Sequence, residues 1–255
     1  MIPHRLSLEA DAAAARYDML TSTWQTLYNR ALASDRFGYA DQAPALAHEA
    51  YAIAGTYFET EKDHIASLLE EIATDAHQSV RDKISSRSAD ELSDDALTHL
   101  AATQSYISDE ISAQLHRDIA LMRQSLQRAV LDVSMMTRTR RIQQRAALIE
   151  YRVLNGETLE FTFTDRRARR TPSKTFIRAL WRQTLLSVHN EAVLMELADH
   201  GIERAAVLHL EDGFVKRKDV ISLSGLDDLP TYGEIRGTVF HPNSNAWLDL
   251  ETDDV

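Results

Sequence analysis

The chain has 255 residues, with 28 Lys or Arg against 39 Asp or Glu, ten histidines and no cysteine, for a net charge of −11 at neutral pH. That length buries a real core as one large domain or two modest ones. The missing cysteines exclude disulfides, thiolate zinc sites and a cysteine nucleophile, and they fit synthesis in a reducing cytosol. The opening stretch MIPHRLSLEADAAAARYD lacks an apolar core of signal-peptide length, and no window reaches the eighteen apolar residues of a membrane span. The expectation is a soluble protein with no membrane partner. Charge is uneven: residues 123–182 hold fourteen Arg or Lys against five Asp or Glu, a balance of +9, and the remainder carries −20. A basic middle between acidic flanks suggests two different partners; the plainer reading is an Arg-rich helix in ordinary surface ion pairs.

In chain order, the first predicted helix runs from about Leu6 to Ala33, with Ala12, Tyr17, Leu20, Trp24, Leu27 and Leu32 along one stripe. RFGYADQAP breaks it. A second helix, about Ala45 to Lys83, carries Leu46, Ala50, Ile53, Tyr57, Ile65, Leu68, Ile72 and Ala76 at spacings of three and four. Ser88 with Glu91 resembles a capping box opening a third helix. From Leu97 and Leu100 through Ile107, Ile111, Leu115, Met122, Leu126 and Val130 to Val133, that helix keeps its period for some forty residues. So long a stripe suggests a bundle or an extended arm. Met135 and Met136 at its end read as core gap-fillers.

Composition shifts near residue 150, since six of the eight glycines fall between Gly156 and Gly237. Tyr151 and Val153, then Leu159, Phe161 and Phe163, alternate around Asn155-Gly156, which predicts a hairpin over residues 149–165. Thr171-Pro172 supplies an N-cap and first-turn proline for a helix to about His200, with Ile177, Trp181, Leu185, Val188, Ala192 and Met195 inward and Gly201 as its stop. AAVLHL is a short strand, EDG turns it, and DVISLSG continues extended. The closing TVFHPNSNAWLDLE reads as strand, rigid corner and strand, because Pro242 fixes its own φ and Asn243 and Asn245 favour turns. The fold class expected is α+β: a mainly helical part with long helices over residues 1–147, and a small α+β module over 148–255.

Catalytic and metal signals are sparse. No HExxH, HxH, GxSxG or phosphate-loop pattern occurs. Glu196 and His200 share a helix face and suit a ligand pair, or a solvated helix end. His209, Asp212 and His241, with Glu211 near by, are the candidate set for a metal-dependent hydrolase or nuclease. The stronger signal is arginine. Arg138, Arg140 and Arg141 close the long helix, and Arg166, Arg167, Arg169 and Arg170 follow Asp165. Arginine forks suit phosphate oxygens, so these clusters fit a duplex held by its backbone without reading its bases. They equally suit an acidic protein ring. No aromatic is interleaved, so base stacking is not suggested.

In order, DRRARRTPSKTFIRALWRQTLLSVHNEAVLMELADHGIERAAVLHLEDG, then ISLSG, a spacer through YGEIRGTVF, and His241-Pro242-Asn243 lie between Thr164 and Leu250. This run, a third of the chain, resembles the C-terminal domain of the Mu-like head morphogenesis and minor capsid proteins of phages. In that family the last motif usually continues with a cysteine, and a cysteine pair often follows the acidic turn. Here Ser244 stands in the cysteine's place and GFVKRK has none, so the family's metal or thiol site is not carried over.

The resemblance implies a non-enzymatic minor head protein, a structural component of the virion made in the host cytoplasm. It would sit in several copies at the portal vertex and serve head assembly, DNA packaging or genome ejection. Implied partners are the portal protein, the major capsid protein and packaged double-stranded DNA, with no cofactor and no metal. The arginines named would contact DNA or portal, and His241, Pro242 and Asn243 would form a structural turn. A metal-dependent hydrolase and a non-viral helical adaptor are the alternatives.

Overall fold

The structure is a computed structural model that describes residues 2–84, 92–140, 143–155 and 158–251. It is mainly helical α+β, with long helices and a small antiparallel sheet near the C-terminus. In chain order the elements are α1 (Ile2–Ala33), α2 (Gln42–Ile84), α3 (Asp94–Arg140), α4 (Gln144–Asn155), β1 (Thr162–Thr164), β2 (Arg170–Pro172), α5 (Ser173–Asp199), β3 (Arg204–Glu211), β4 (Phe214–Ser222), α6 (Tyr232–Val239) and β5 (Ala246–Leu250). A short 3-10 turn, Leu226–Asp228, precedes α6. The expected capping box of Ser88 and Glu91 lies outside the described residues. Ser93 caps the start of α3, its hydroxyl accepting the Ala96 N–H at 3.2 Å.

The chain forms two compact units: unit 1 comprises Met1–Ala13, Lys62–Asp109 and Ile177–Val255, and unit 2 comprises Ala14–Glu61 and Glu110–Phe176. Unit 2 takes its core from the stripes read in the sequence. Tyr17, Leu20, Trp24 and Leu32 of α1 are buried, as are Leu46 and Ala50 of α2 and Ile111, Leu115, Met122, Leu126 and Val133 of α3. Trp24 donates its indole N–H to the Ala50 carbonyl at 3.3 Å, which fixes α1 on α2 and satisfies a polar group that burial would otherwise penalise. Met135 is exposed, so it does not fill the core.

Two local expectations in unit 2 are overturned. Residues 149–155 are not a strand: α4 continues to Asn155, whose side-chain amide donates to the Tyr151 carbonyl at 3.0 Å. Ala147 and Tyr151, four apart, are the buried positions of α4, while Ile149 and Val153 face solvent. The helical spacing therefore won over the apparent alternation. The hairpin forms one step later, where β1 pairs with β2 in the register Thr162↔Pro172, Phe163↔Thr171 and Thr164↔Arg170. Thr171 and Pro172 thus end a strand rather than open α5.

Unit 1 is organised by α5. From Trp181 to Leu197 most of its residues are buried, polar ones included. Gly201, at φ 67°, stops it by a Schellman motif: the Gly201 N–H reaches the Ala198 carbonyl at 2.9 Å and the Ile202 N–H reaches the Leu197 carbonyl at 2.9 Å. The sheet has the order β4-β3-β5, all antiparallel, with a register shift between Val207 and Leu208. Asp212 and Gly213, both at positive φ, make the tight β3–β4 turn. β5 is an edge strand, and α5 satisfies its outer side: Asn190 Oδ1 accepts the Leu248 N–H at 2.9 Å, and His189 Nε2 donates to the Leu248 carbonyl at 3.2 Å. The strand expected before the corner is helix α6, because Thr231 and Glu234 form a capping box.

Candidate nucleic-acid interface

The β1–β2 turn is built around one carboxylate. Asp165 Oδ1 accepts the backbone N–H groups of Arg167 at 2.8 Å and Arg169 at 2.9 Å, and Oδ2 accepts the Arg169 side chain at 2.7 Å. Backbone bonds from Asp165 to the Arg169 carbonyl and from Ala168 to the Asp165 carbonyl, both 3.0 Å, close the loop. The donors converging from Arg169, backbone and side chain, hold the Asp165 carboxyl below its ordinary value. Ala168 takes the left-handed conformation, φ 58°, which the loop's own hydrogen bonds impose.

That arrangement divides the arginines. Arg169 is neutralised by Asp165, whereas Arg166, Arg167 and Arg170 are exposed and have no ion-pair partner among the described residues. Beneath them Phe163 stacks on Phe176 with ring centroids 4.1 Å apart, and the Arg117 guanidinium lies 5.4 Å from the Phe163 centroid. Ser173, the first residue of α5, is buried. Its hydroxyl donates to Asp118 at 3.0 Å, and Gln114 donates to both Asp118 and Ser173 at 2.9 Å. Tyr17 donates to the other Asp118 oxygen at 2.8 Å. Burial pushes the Asp118 carboxyl up to about 6 against the pull of these donors. The arginine loop therefore stands on a fixed base. Sequence reasoning missed this network, whose signal was Gln114 and Asp118 standing four apart next to the apolar stripe of α3.

The other arginines stand elsewhere. Arg138 is exposed in the last turn of α3, Arg140 pairs with Glu150, and Arg141 lies outside the described residues. Twenty-one residues of helix separate Arg138 from Arg117 at the root of the hairpin, or about 30 Å at 1.5 Å per residue. The two clusters are not one patch.

The corner at His241-Pro242-Asn243 is a turn closed by the Ser244 N–H on the His241 carbonyl at 2.8 Å, with the Asn243 N–H on His241 Nδ1 at 3.2 Å. Its anchor is Arg182, which the sequence reading passed over. The buried Arg182 guanidinium donates to the Ser244 carbonyl at 2.6 Å and to Asn245 Oδ1 at 3.2 Å, and also meets the Ser7 hydroxyl. Ser244 is buried too, and its hydroxyl accepts the Ala246 N–H at 3.0 Å. An arginine fork and a serine hydroxyl occupy the corner's polar positions.

His209, on β3 opposite Lys216 and Ala246, Asp212 in the β3–β4 turn and the exposed His241 are not brought together as a ligand set. Among the described residues no three His, Asp or Glu side chains are grouped to hold a metal ion. Glu196 and His200 do meet, His200 Nδ1 lying 3.3 Å from Glu196 Oε1, and among the described residues they are not part of a group of three metal-ligating side chains. Glu196 is buried and takes His77 Nδ1 at 2.6 Å and Arg81 Nε at 2.7 Å, while His200 Nδ1 donates to the Glu196 backbone carbonyl at 2.9 Å. Burial raises the Glu196 carboxyl, but the hydrogen bonds and charges of Arg81 and His77 overcome it and leave it below its ordinary value. Among the described residues no helix is long and apolar enough to cross a membrane. No family model matches this chain, and no curated protein or solved structure matches it.

Proposed function

We propose that this chain is a non-enzymatic minor head protein of a tailed bacteriophage, working at the portal vertex in head assembly and in DNA packaging or ejection. In this reading the loop over 165–170 grips double-stranded DNA by its phosphates. The phage context is supported by the order of motifs from Thr164 to His241-Pro242-Asn243. The DNA contact is carried by one observation: a loop braced by Asp165 that leaves Arg166, Arg167 and Arg170 exposed and unpaired among the described residues. A braced loop loses little conformational freedom on binding, and guanidinium groups meet phosphate oxygens in pairs. The aromatics stack on each other at the hairpin's root, so contacts go to the backbone and not to bases.

The test is a gel-shift series on duplexes of unrelated sequence at rising salt. Three phosphate contacts give a slope of log affinity on log salt of about −2.7, alike for every duplex. Replacing Arg166, Arg167 and Arg170 together by alanine removes most of that slope. A flat salt response, or binding unchanged by the triple substitution, overturns the DNA contact. Absence of the protein from purified virions overturns the head assignment.

A further inference from the structure

Helix α3 exposes apolar side chains at both ends, in opposite electrostatic company. Near its start Leu97 (47 %) and Tyr106 (57 %) are exposed beside Asp94, Asp95 and Asp109, three exposed carboxylates without ion-pair partners among the described residues. Near its end Leu131 (65 %) and Met135 are exposed one turn apart. The neighbouring α4, tied to α3 by the Arg140–Glu150 pair, turns Ile149 and Val153 (79 %) outward at the same spacing. Arg138 and Arg145 flank that second stretch, exposed and unpaired among the described residues. Two open grooves adjoin it, of about 380 Å³ beside Leu131 and about 480 Å³ beside Ile149.

One exposed apolar residue needs no explanation, but paired ones on adjacent helices beside open grooves mark an interaction surface. Charge narrows the choice of occupant. Unit 2 holds 16 basic and 13 acidic residues, and unit 1 holds 12 and 26, so the chain carries both members of a complementary pair. The acidic stretch opens α3 and the basic stretch closes it. The basic face does not suit a two-fold contact with itself, because like charges would be juxtaposed.

We propose that the face formed by Leu131, Met135, Ile149 and Val153 docks a second copy of this chain, through the acidic opening stretch of that copy's α3. The contact is head-to-tail, so it repeats, and it closes into a ring where the rotation between copies allows. It does not rest on the DNA contact, which uses a different surface.

Sedimentation velocity on the full chain tests it. At about 50 mM salt the protein forms species larger than a dimer that grow with concentration, and at about 500 mM it is monomeric. A double variant, Ile149→Glu with Val153→Glu, and a second, Leu97→Arg with Tyr106→Lys, are each monomeric at low salt and keep the wild-type helical circular dichroism. Mixed together they form a one-to-one complex and nothing larger, since each retains the face the other lacks. Replacing Arg166, Arg167 and Arg170 by alanine leaves this assembly intact while abolishing the DNA shift, so the two readings fail separately. Three outcomes overturn the proposal: a wild-type monomer at roughly 100 μM in low salt, a dimer that survives high salt, or variants that stay apart when mixed.

Discussion

Glu196 of unit 1 and Asp118 of unit 2 are both buried and both held by side-chain donors, two residues for Glu196 and three for Asp118, yet the two carboxylates respond to burial in opposite ways. In unit 1, Glu196 meets Arg81 and His77 and stays below its ordinary value. In unit 2, Asp118 meets Tyr17, Ser173 and Gln114 and is pushed up to about 6. Hydrogen-bond number is nearly equal, so it does not decide the outcome. Partner charge does: a buried carboxylate keeps its charge where cations hydrogen-bond to it, and drifts toward its neutral form where its donors are neutral and a cation, here Arg117, acts only as a weaker, unbonded charge. His189, one of two buried histidines among the described residues of unit 1, obeys the same rule. Among the described residues the His189 ring has only the Leu248 carbonyl as hydrogen-bond partner, and burial lowers it to about 4, so it stays neutral.

The comparison breaks most visibly at Glu196. Glu196→Ala leaves Arg81 and His77 without their carboxylate, and a loss of roughly 3–5 kcal/mol is expected in denaturant unfolding. A loss no larger than that of a surface substitution would mean that the pair contributes nothing. The next largest effect is acid. His189 has a folded value of about 4 against 6.5 unfolded, so the unfolded chain binds its proton first as pH falls. The stability present above 6.5 drains away down to about 4, by about 3 kcal/mol at 1.36 kcal/mol per unit. Protection of the Leu248 amide, which Asn190 accepts, should fall over that window, and His189→Gln should remove the dependence.

The long stripes of α1, α2 and α3 were legible in the sequence, because periodicity over thirty or more residues leaves few other folds. So was the end of α5 at Gly201. The hairpin was misplaced by one segment because twelve residues with apolar side chains at 149, 151 and 153 fit either period, and packing through Ala147 and Tyr151 decided it. Of the candidate site, the arginines were legible and their grouping was not. That Asp165 consumes Arg169 depends on the local fold of the turn, that Arg138 stands about 30 Å from the hairpin's root depends on the length of α3, and that Arg182 holds the corner depends on contacts across some sixty residues of chain. Leu97 shows the converse, a stripe position that the fold leaves exposed.

Asp118 sharpens the comparison with the smallest effect and the opposite sign. Its folded value of about 6 exceeds the unfolded 3.8, so between these limits the folded chain holds the proton more tightly. Stability from this group is therefore full below about 3.8 and is lost as pH rises through 6, the reverse of His189. At neutral pH Asp118 is a buried carboxylate with no ion-pair partner among the described residues. Asp118→Asn removes that charge while keeping an acceptor for Ser173 and Gln114, and Tyr17 can turn its hydroxyl to accept from the new amide. The variant should gain about 1–2 kcal/mol at pH 7, less than the full shift implies because the amide geometry is imperfect, and should lose the dependence between pH 4 and 6. Trp24 is the only tryptophan of unit 2, so its fluorescence in a chain whose Trp181 and Trp247 are replaced by phenylalanine follows this unit alone. If Asp118→Asn instead destabilises at pH 7 as much as Asp118→Ala does, the ionised carboxylate is what holds Tyr17, Gln114 and Ser173 together. Partner charge would then no longer separate Asp118 from Glu196.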